Sequence, residues 1–202
     1  VVNKNQILNY QIKKKSLNFQ SGDKKNTYEG TIFFKPFYFK SKLNYEGIST
    51  RNLFSNDTIL IDLITSEILN NKNLNANIDL KIKDITNIDQ LNNLNLKIGL
   101  DQGSIGFSNS NIMWKDDLEI VLNESLLSYN DYKITLVGRL NFNFKNLENF
   151  YRSFQIKKSY RKKIENIEID FIYDLTEKKI SFDNVKIDKN FNTAVEEYIN
   201  DF

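Results

Sequence analysis

Few residue patterns in this chain carry a chemistry. Ser-x-x-Lys, the spacing of a serine nucleophile and its lysine, occurs at Ser21/Lys24 and at Ser159/Lys162. Both copies fall in polar turns of a lysine-rich chain, and the companion Ser-Asp-Asn and Lys-Thr-Gly motifs are missing, so chance accounts for them. Asp188, Asn190 and Asn192 open with the rhythm of a calcium loop, but its sixth position is Thr193 instead of Gly and its twelfth is Ile199 instead of Glu. Asp116, Asp117 and Glu119 bunch together, yet only Asp117 and Glu119 share a strand face, and the group reads as a wet hairpin rim. The seven glycines stand singly and form no phosphate loop.

Histidine and cysteine are both absent. Their loss removes Ser-His-Asp and Cys-His catalysis, disulfides, all-cysteine zinc sites and the commonest zinc and iron ligand sets. No catalytic residue, metal site or cofactor is expected, and the chain reads as a non-enzyme.

Lys157, Lys158, Arg161, Lys162 and Lys163 surround Tyr160 in "KKSYRKK". This cluster fits a solvated helix-exit turn or a contact with anionic lipid headgroups at a membrane surface. Nucleic acid is not expected: 28 basic residues stand against 26 acidic ones, and no aromatic RNA-binding motif accompanies the cluster.

The elements that would position these groups are written mainly in period two. Apolar residues alternate with Asn, Asp and Lys at Leu74, Ala76, Ile78, Leu80 and Ile82, as a strand with one wet face requires. Leu94, Leu96, Ile98 and Leu100 run into Asp101-Gln102-Gly103, and Ile105 and Phe107 come back out as a hairpin. Leu118, Ile120 and Leu122 make another strand. Ile134, Leu136, Gly138, Leu140, Phe142 and Phe144 make the longest, followed after a helix by Ile167, Ile169, Phe171 and Tyr173, then by Ile180, Phe182, Val185 and Ile187 with one break of phase. The expected fold is mainly β: a long, curled antiparallel meander, taco- or groove-like, with two or three short amphipathic helices.

One helix is capped by Asn146, with Leu147, Phe150, Tyr151 and Phe154 on one face and Lys157 and Lys158 near its last carbonyls. Thr193 and Glu196 have capping-box spacing ahead of Val195, Tyr198, Ile199 and Phe202, predicting a terminal helix over 192–202. A third pattern, Thr58 to Asn70, has Ile61, Ile64 and Ile68 at helical spacing but competes with a strand reading through its β-branched content. So few helices cannot cover a wide sheet. Its apolar stripe packs a sandwich or barrel core, or it is a surface that something else covers.

The most aromatic run, "TIFFKPFYFKSKLNY" from Thr31 to Tyr45, carries Lys35, Lys40 and Lys42 and is too short and too charged for a membrane span. Pro36 marks an edge, a bulge or the corner between strands Tyr28 to Phe34 and Phe37 to Tyr45. The chain reads as a single β-rich domain over 1–202 and, beginning "VVNKNQ" and stopping at "INDF", as an excerpt of a longer one.

The succession "GTIFFKPFYFKSKLNYEGIS", "LNANIDLKIKDI", "LNNLNLKIGLDQGSIGFSNSNIMW" and "YKITLVGRLNFNFKNLENFYRSFQI" resembles the C-terminal region of the AsmA-like envelope proteins. The motifs in question are a strand before a Gly-containing hairpin, a strand with Leu136, Gly138 and Leu140 as L-x-G-x-L, then a short amphipathic helix. The resemblance covers about Tyr28 to Ile187. It implies a periplasmic protein tethered to the inner membrane through a segment outside this chain. It also implies lipid transport in outer-membrane biogenesis, with phospholipid or other acyl chains held in a repeating β-groove. On that reading the groove is lined by Ile78, Leu80, Ile82, Leu96, Ile98, Leu100, Ile105, Phe107, Ile120, Leu122, Leu136, Leu140, Phe142, Ile169 and Phe171. The alternatives are an envelope scaffold packed against another copy or other segments of the same chain, and a sandwich-type binding module.

Overall fold

A computed structural model of the chain describes residues 7–49, 73–101, 103–130 and 133–201. It is mainly β, built on one 13-stranded sheet. The strands are β1 (Leu8–Ile12), β2 (Ser16–Gly22), β3 (Thr27–Phe34), β4 (Phe37–Ser49), β5 (Asn75–Thr86), β6 (Leu91–Asp101), β7 (Ser104–Phe107), β8 (Ser110–Trp114), β9 (Leu118–Asn130), β10 (Lys133–Phe144), β11 (Asn166–Asp174), β12 (Lys179–Ile187) and β13 (Asn190–Phe191). They pair in chain order, except that β7 and β8 share the place between β6 and β9. Twelve neighbours at about 4.8 Å spacing make a sheet roughly 55 Å wide.

The meander is not wholly antiparallel. β5 runs parallel to β4, with Phe39 beside Ala76, Leu43 beside Leu80 and Tyr45 beside Ile82. Period-two patterning fixes the face of each residue but not the direction of the strand, so the sequence could not distinguish the two cases. A parallel pair needs a long connection, and the interval between Ser49 and Asn75 is long enough. The helical pattern of Thr58 to Asn70 falls in that interval, outside the described residues.

Pro36 sits at a corner, in the tight turn between β3 and β4, where its missing N–H costs the ladder nothing. The hairpin expected at residues 101–103 joins β6 to β7, with Asp101 opposite Ser104.

Two α-helices are described. α1 (Leu147–Ser153) starts where the Asn146 side chain accepts from the Asn149 N–H. It ends at Ser153, so Lys157 and Lys158 lie beyond its last carbonyls, at the entry to a 3-10 turn spanning Lys158–Tyr160. α2 (Thr193–Asn200) is capped by Asn192 and not by Thr193, its side chain accepting from the Val195 N–H at 3.1 Å. Glu196 makes no capping box: its carboxylate accepts the Val185 N–H of β12 instead.

Candidate functional site

The registers place one continuous apolar face across the whole sheet. Following partners from strand to strand, Tyr10 stands beside Phe19, Phe19 beside Gly30, Ile32 beside Phe39, Phe39 beside Ala76 and Ile78 beside Ile98. The row continues through Ile98 and Phe107, Ile105 and Leu127, Leu127 and Leu136, Leu140 and Ile169, and Phe171 and Phe182. Every expected groove residue falls on this face. No Asp, Glu, Lys or Arg stands among the positions just named.

Two kinds of residue share the face. Ile82, Leu100 and Phe171, expected as lining, are buried, at 1%, 9% and 6% exposure. They form its packed floor together with Ala76, Leu118, Leu127, Ile134 and Val185. Ile78, Leu80, Leu96, Ile98, Ile105, Phe107, Ile120, Leu122, Leu136, Leu140, Phe142 and Ile169 are half-buried and are its accessible lining. Nine apolar side chains are buried among the described residues. Among the described residues no second sheet lies over them. Bulges interrupt the ladder: it shifts register beside Glu124, Asn93 and Asn184, all at positive φ.

Small residues sit at the tightest points. A Cβ at Gly138 would collide with the Ser125 side chain, which the bulge at Glu124 pushes over it. Gly30 is roofed by the Phe19 ring, itself stacked on Phe39 with centroids 6.2 Å apart. Glycine in L-x-G-x-L is therefore a packing requirement of this face. Its few polar groups are hydroxyls and the indole N–H of Trp114. Ser110 accepts from the Lys97 N–H, and the Ser125 hydroxyl donates to the Asn123 carbonyl. Tyr45 lies edge-on to Tyr28, at 5.4 Å, and burial together with that second phenol pushes its pKa up to about 12.

One end of the face is plugged. Phe150 of α1 meets Phe144 edge-on at 5.1 Å, and Phe154 stacks on Trp114 at 5.7 Å. Asp117, expected on a wet rim, is instead buried. Its carbonyl accepts the N–H groups of Lys145 and Asn146, and its carboxylate accepts from the Asn149 amide, so it anchors the start of α1. Asp188, weighed above as a calcium ligand, accepts the N–H groups of Glu165 and Asn166 and pins a turn. Those bonds hold its carboxyl below the usual range.

The basic cluster divides. The Arg161 guanidinium is committed to the Ile156 carbonyl at 2.9 Å and the Glu148 carboxylate at 2.8 Å, which withdraws it from a headgroup role. Lys163 stands 3.5 Å from Glu165 at an exposed site. Lys157, Lys158 and Lys162 are exposed beside Tyr160, which is 73% exposed.

The opposite face is polar, with Lys, Asn, Asp and Glu in rows. Its strongest contact is Arg139 with Asp170 at 2.7 Å, with Glu124 at 3.4 Å from the same guanidinium. The Arg139 bonds hold the Asp170 carboxyl below its ordinary value. Leu126, Val137 and Ile172 form a small apolar island there, next to one another across β9, β10 and β11.

Sequence reasoning missed part of the apolar face. Leu17 and Phe19 of β2, Leu8, Tyr10 and Ile12 of β1, and Ile112 and Trp114 of β8 extend it. The signal was present but short: "LNYQI" and "SLNFQSG" alternate for two or three apolar positions only. Among the described residues no cluster of three or more acidic side chains is arranged to hold a metal ion, and no helix is long and apolar enough to cross a membrane. No protein-family model, curated protein or solved structure matches the chain.

Proposed function

We propose that the curled apolar face binds acyl chains of phospholipid or a similar lipid and passes them along its length, in a non-enzymatic role. One observation carries this reading: an uninterrupted apolar face, half-buried and chemically uniform, crosses the sheet with no second layer over it among the described residues. Each acyl methylene withdrawn from water there gains about 0.8 kcal/mol. Such a surface needs no fixed polar partner, since Ile78, Leu96 and Leu136 offer a chain the same aliphatic contact from one strand to the next. A lipid can therefore slide. Headgroups stay in water at the rim, where exposed Lys157, Lys158 and Lys162 supply positive charge.

The resemblance to AsmA-like proteins adds a setting: the periplasm of a bacterium, with the chain tethered at the inner membrane by a segment outside it and lipid moving toward the outer membrane. The polar face offers less to a ligand, because Arg139 is saturated by Asp170 and Glu124 and the island of Leu126, Val137 and Ile172 is small.

The test is organic extraction of the purified protein followed by mass spectrometry, with Leu96→Glu and Leu136→Glu as contrasts. Phospholipid is expected with the parent chain and is lost in folded variants. A folded parent that carries none, even after incubation with phospholipid vesicles, contradicts the proposal, as does retention of lipid by both variants.

A further inference from the structure

The two edges of the sheet are built differently. At the far edge, α2 lies along β12 and supplies the partners that another strand would supply. The Asn200 amide oxygen accepts the Phe182 N–H at 2.8 Å while its NH2 donates to the Phe182 carbonyl at 2.8 Å, the two-bond pattern of a ladder residue. Glu196 accepts the Val185 N–H, and the Asn192 N–H donates to the Val185 carbonyl at 2.8 Å. β13 covers Lys186 and Ile187. What remains uncovered, Lys179 to Ser181, is shorter than an ordinary strand.

Among the described residues the near edge has no such cover. Every residue of β1 is exposed, with Leu8 at 57%, Tyr10 at 67% and Ile12 at 66%. Its outward groups follow from the hairpin: Lys13 and Ser16 exchange both backbone bonds, so by alternation Gln11 and Asn9 bond to β2. Leu8, Tyr10 and Ile12 thus turn their N–H and C=O groups away from the sheet. Their side chains continue the apolar face. Native edges are normally blunted by charge, proline or a bulge, and Leu8–Ile12 has none of these.

We infer that β1 is a self-pairing edge, through which two copies of this chain join antiparallel into one continuous sheet, and that α2 stops the assembly at two. β1 is symmetric about Tyr10. An antiparallel pair centred there sets Tyr10 against Tyr10, Leu8 against Ile12 and Asn9 against Gln11, with about six ladder hydrogen bonds from the outward groups. Opposed residues of an antiparallel pair share a face, so the two apolar faces merge into one of double width. The register also sends the Lys13, Lys14 and Lys15 runs of the two copies to opposite ends of the ribbon, where they do not repel. Because the β12 edge is occupied, head-to-tail growth into a filament is blocked and the contact closes as an isologous dimer.

Sedimentation velocity on the full chain across the micromolar range tests this without reference to lipid. The parent should sediment as a dimer. Tyr10→Pro, which deletes an outward donor and leaves the β2 ladder intact, and Tyr10→Lys, which opposes two like charges on the two-fold axis, should both be monomers with unchanged far-ultraviolet circular dichroism. Asn200→Ala should produce species larger than the dimer. A parent that stays monomeric, or a dimer that survives both Tyr10 variants, overturns the pairing. An Asn200→Ala protein that remains strictly dimeric overturns the stopping role of α2. Lipid extraction can fail while dimerisation holds, so the two readings fall separately.

Discussion

At the scale of single residues, the apolar face is kept smooth by side chains that are small because a neighbour needs the room. Gly138 is the clearest case, since the Ser125 side chain occupies the space of its absent Cβ. Gly138→Ala should lower stability by about 1–3 kcal/mol through overpacking, and adding Ser125→Gly should restore most of the loss; urea denaturation of the parent and the two variants reads both numbers. Tyr45 gives a pH signature. Its pKa is about 12 in the folded chain against 10.0 for a free phenol. The folded state holds the proton that the unfolded state gives up, so Tyr45 stabilises fully below pH 10 and loses that contribution as pH rises toward 12. Tyr45→Phe should therefore flatten the alkaline fall in stability across that window, measured by thermal melts at stepped pH. Leu96 and Leu136 were legible as face residues from alternation alone. The role of Gly138 was not, because it depends on a bulge in a different strand that leaves no mark on the local pattern.

At the scale of elements, strand patterning carried most of the information and capping carried the rest unevenly. The long runs from Ile134 to Phe144 and from Ile167 to Tyr173 are strands where alternation puts them. β1 and β8 were not found, since five residues hold too few alternations to separate a strand from a loop. The direction of β5 was out of reach for the reason given above. Asn146 caps α1 as expected, but Glu196 had two possible partners, its own helix terminus and β12, and only the tertiary arrangement decides between them. α1 closes one end of the apolar face through Phe150 and Phe154. The single tryptophan, Trp114, lies beneath it and reports its docking. Asn146→Ala should cost about 1 kcal/mol. Phe150→Ala should shift the Trp114 emission to the red with little change in the far-ultraviolet spectrum. An unshifted emission would mean that the helix does not rely on that contact.

At the scale of the whole molecule, a wide sheet with one apolar side and little helix to cover it has to satisfy that side by curling, by association or by a ligand. Ile78, Leu96, Ile120 and Leu136 are half-buried, so the described residues satisfy that side only in part. The deficit of helix was readable from sequence, and so was the stripe. Whether the stripe closes as a core or stays open was not, because both write the same alternation. The central claim is that this face holds acyl chains. It is tested most directly by Trp114 fluorescence with phospholipids brominated on their acyl chains, which quench only when the tail comes within contact range. The account predicts quenching that saturates as lipid is added and that falls away in Leu96→Glu and Leu136→Glu chains retaining their strand spectrum. Emission that stays constant through the titration, in a folded parent chain, would contradict it.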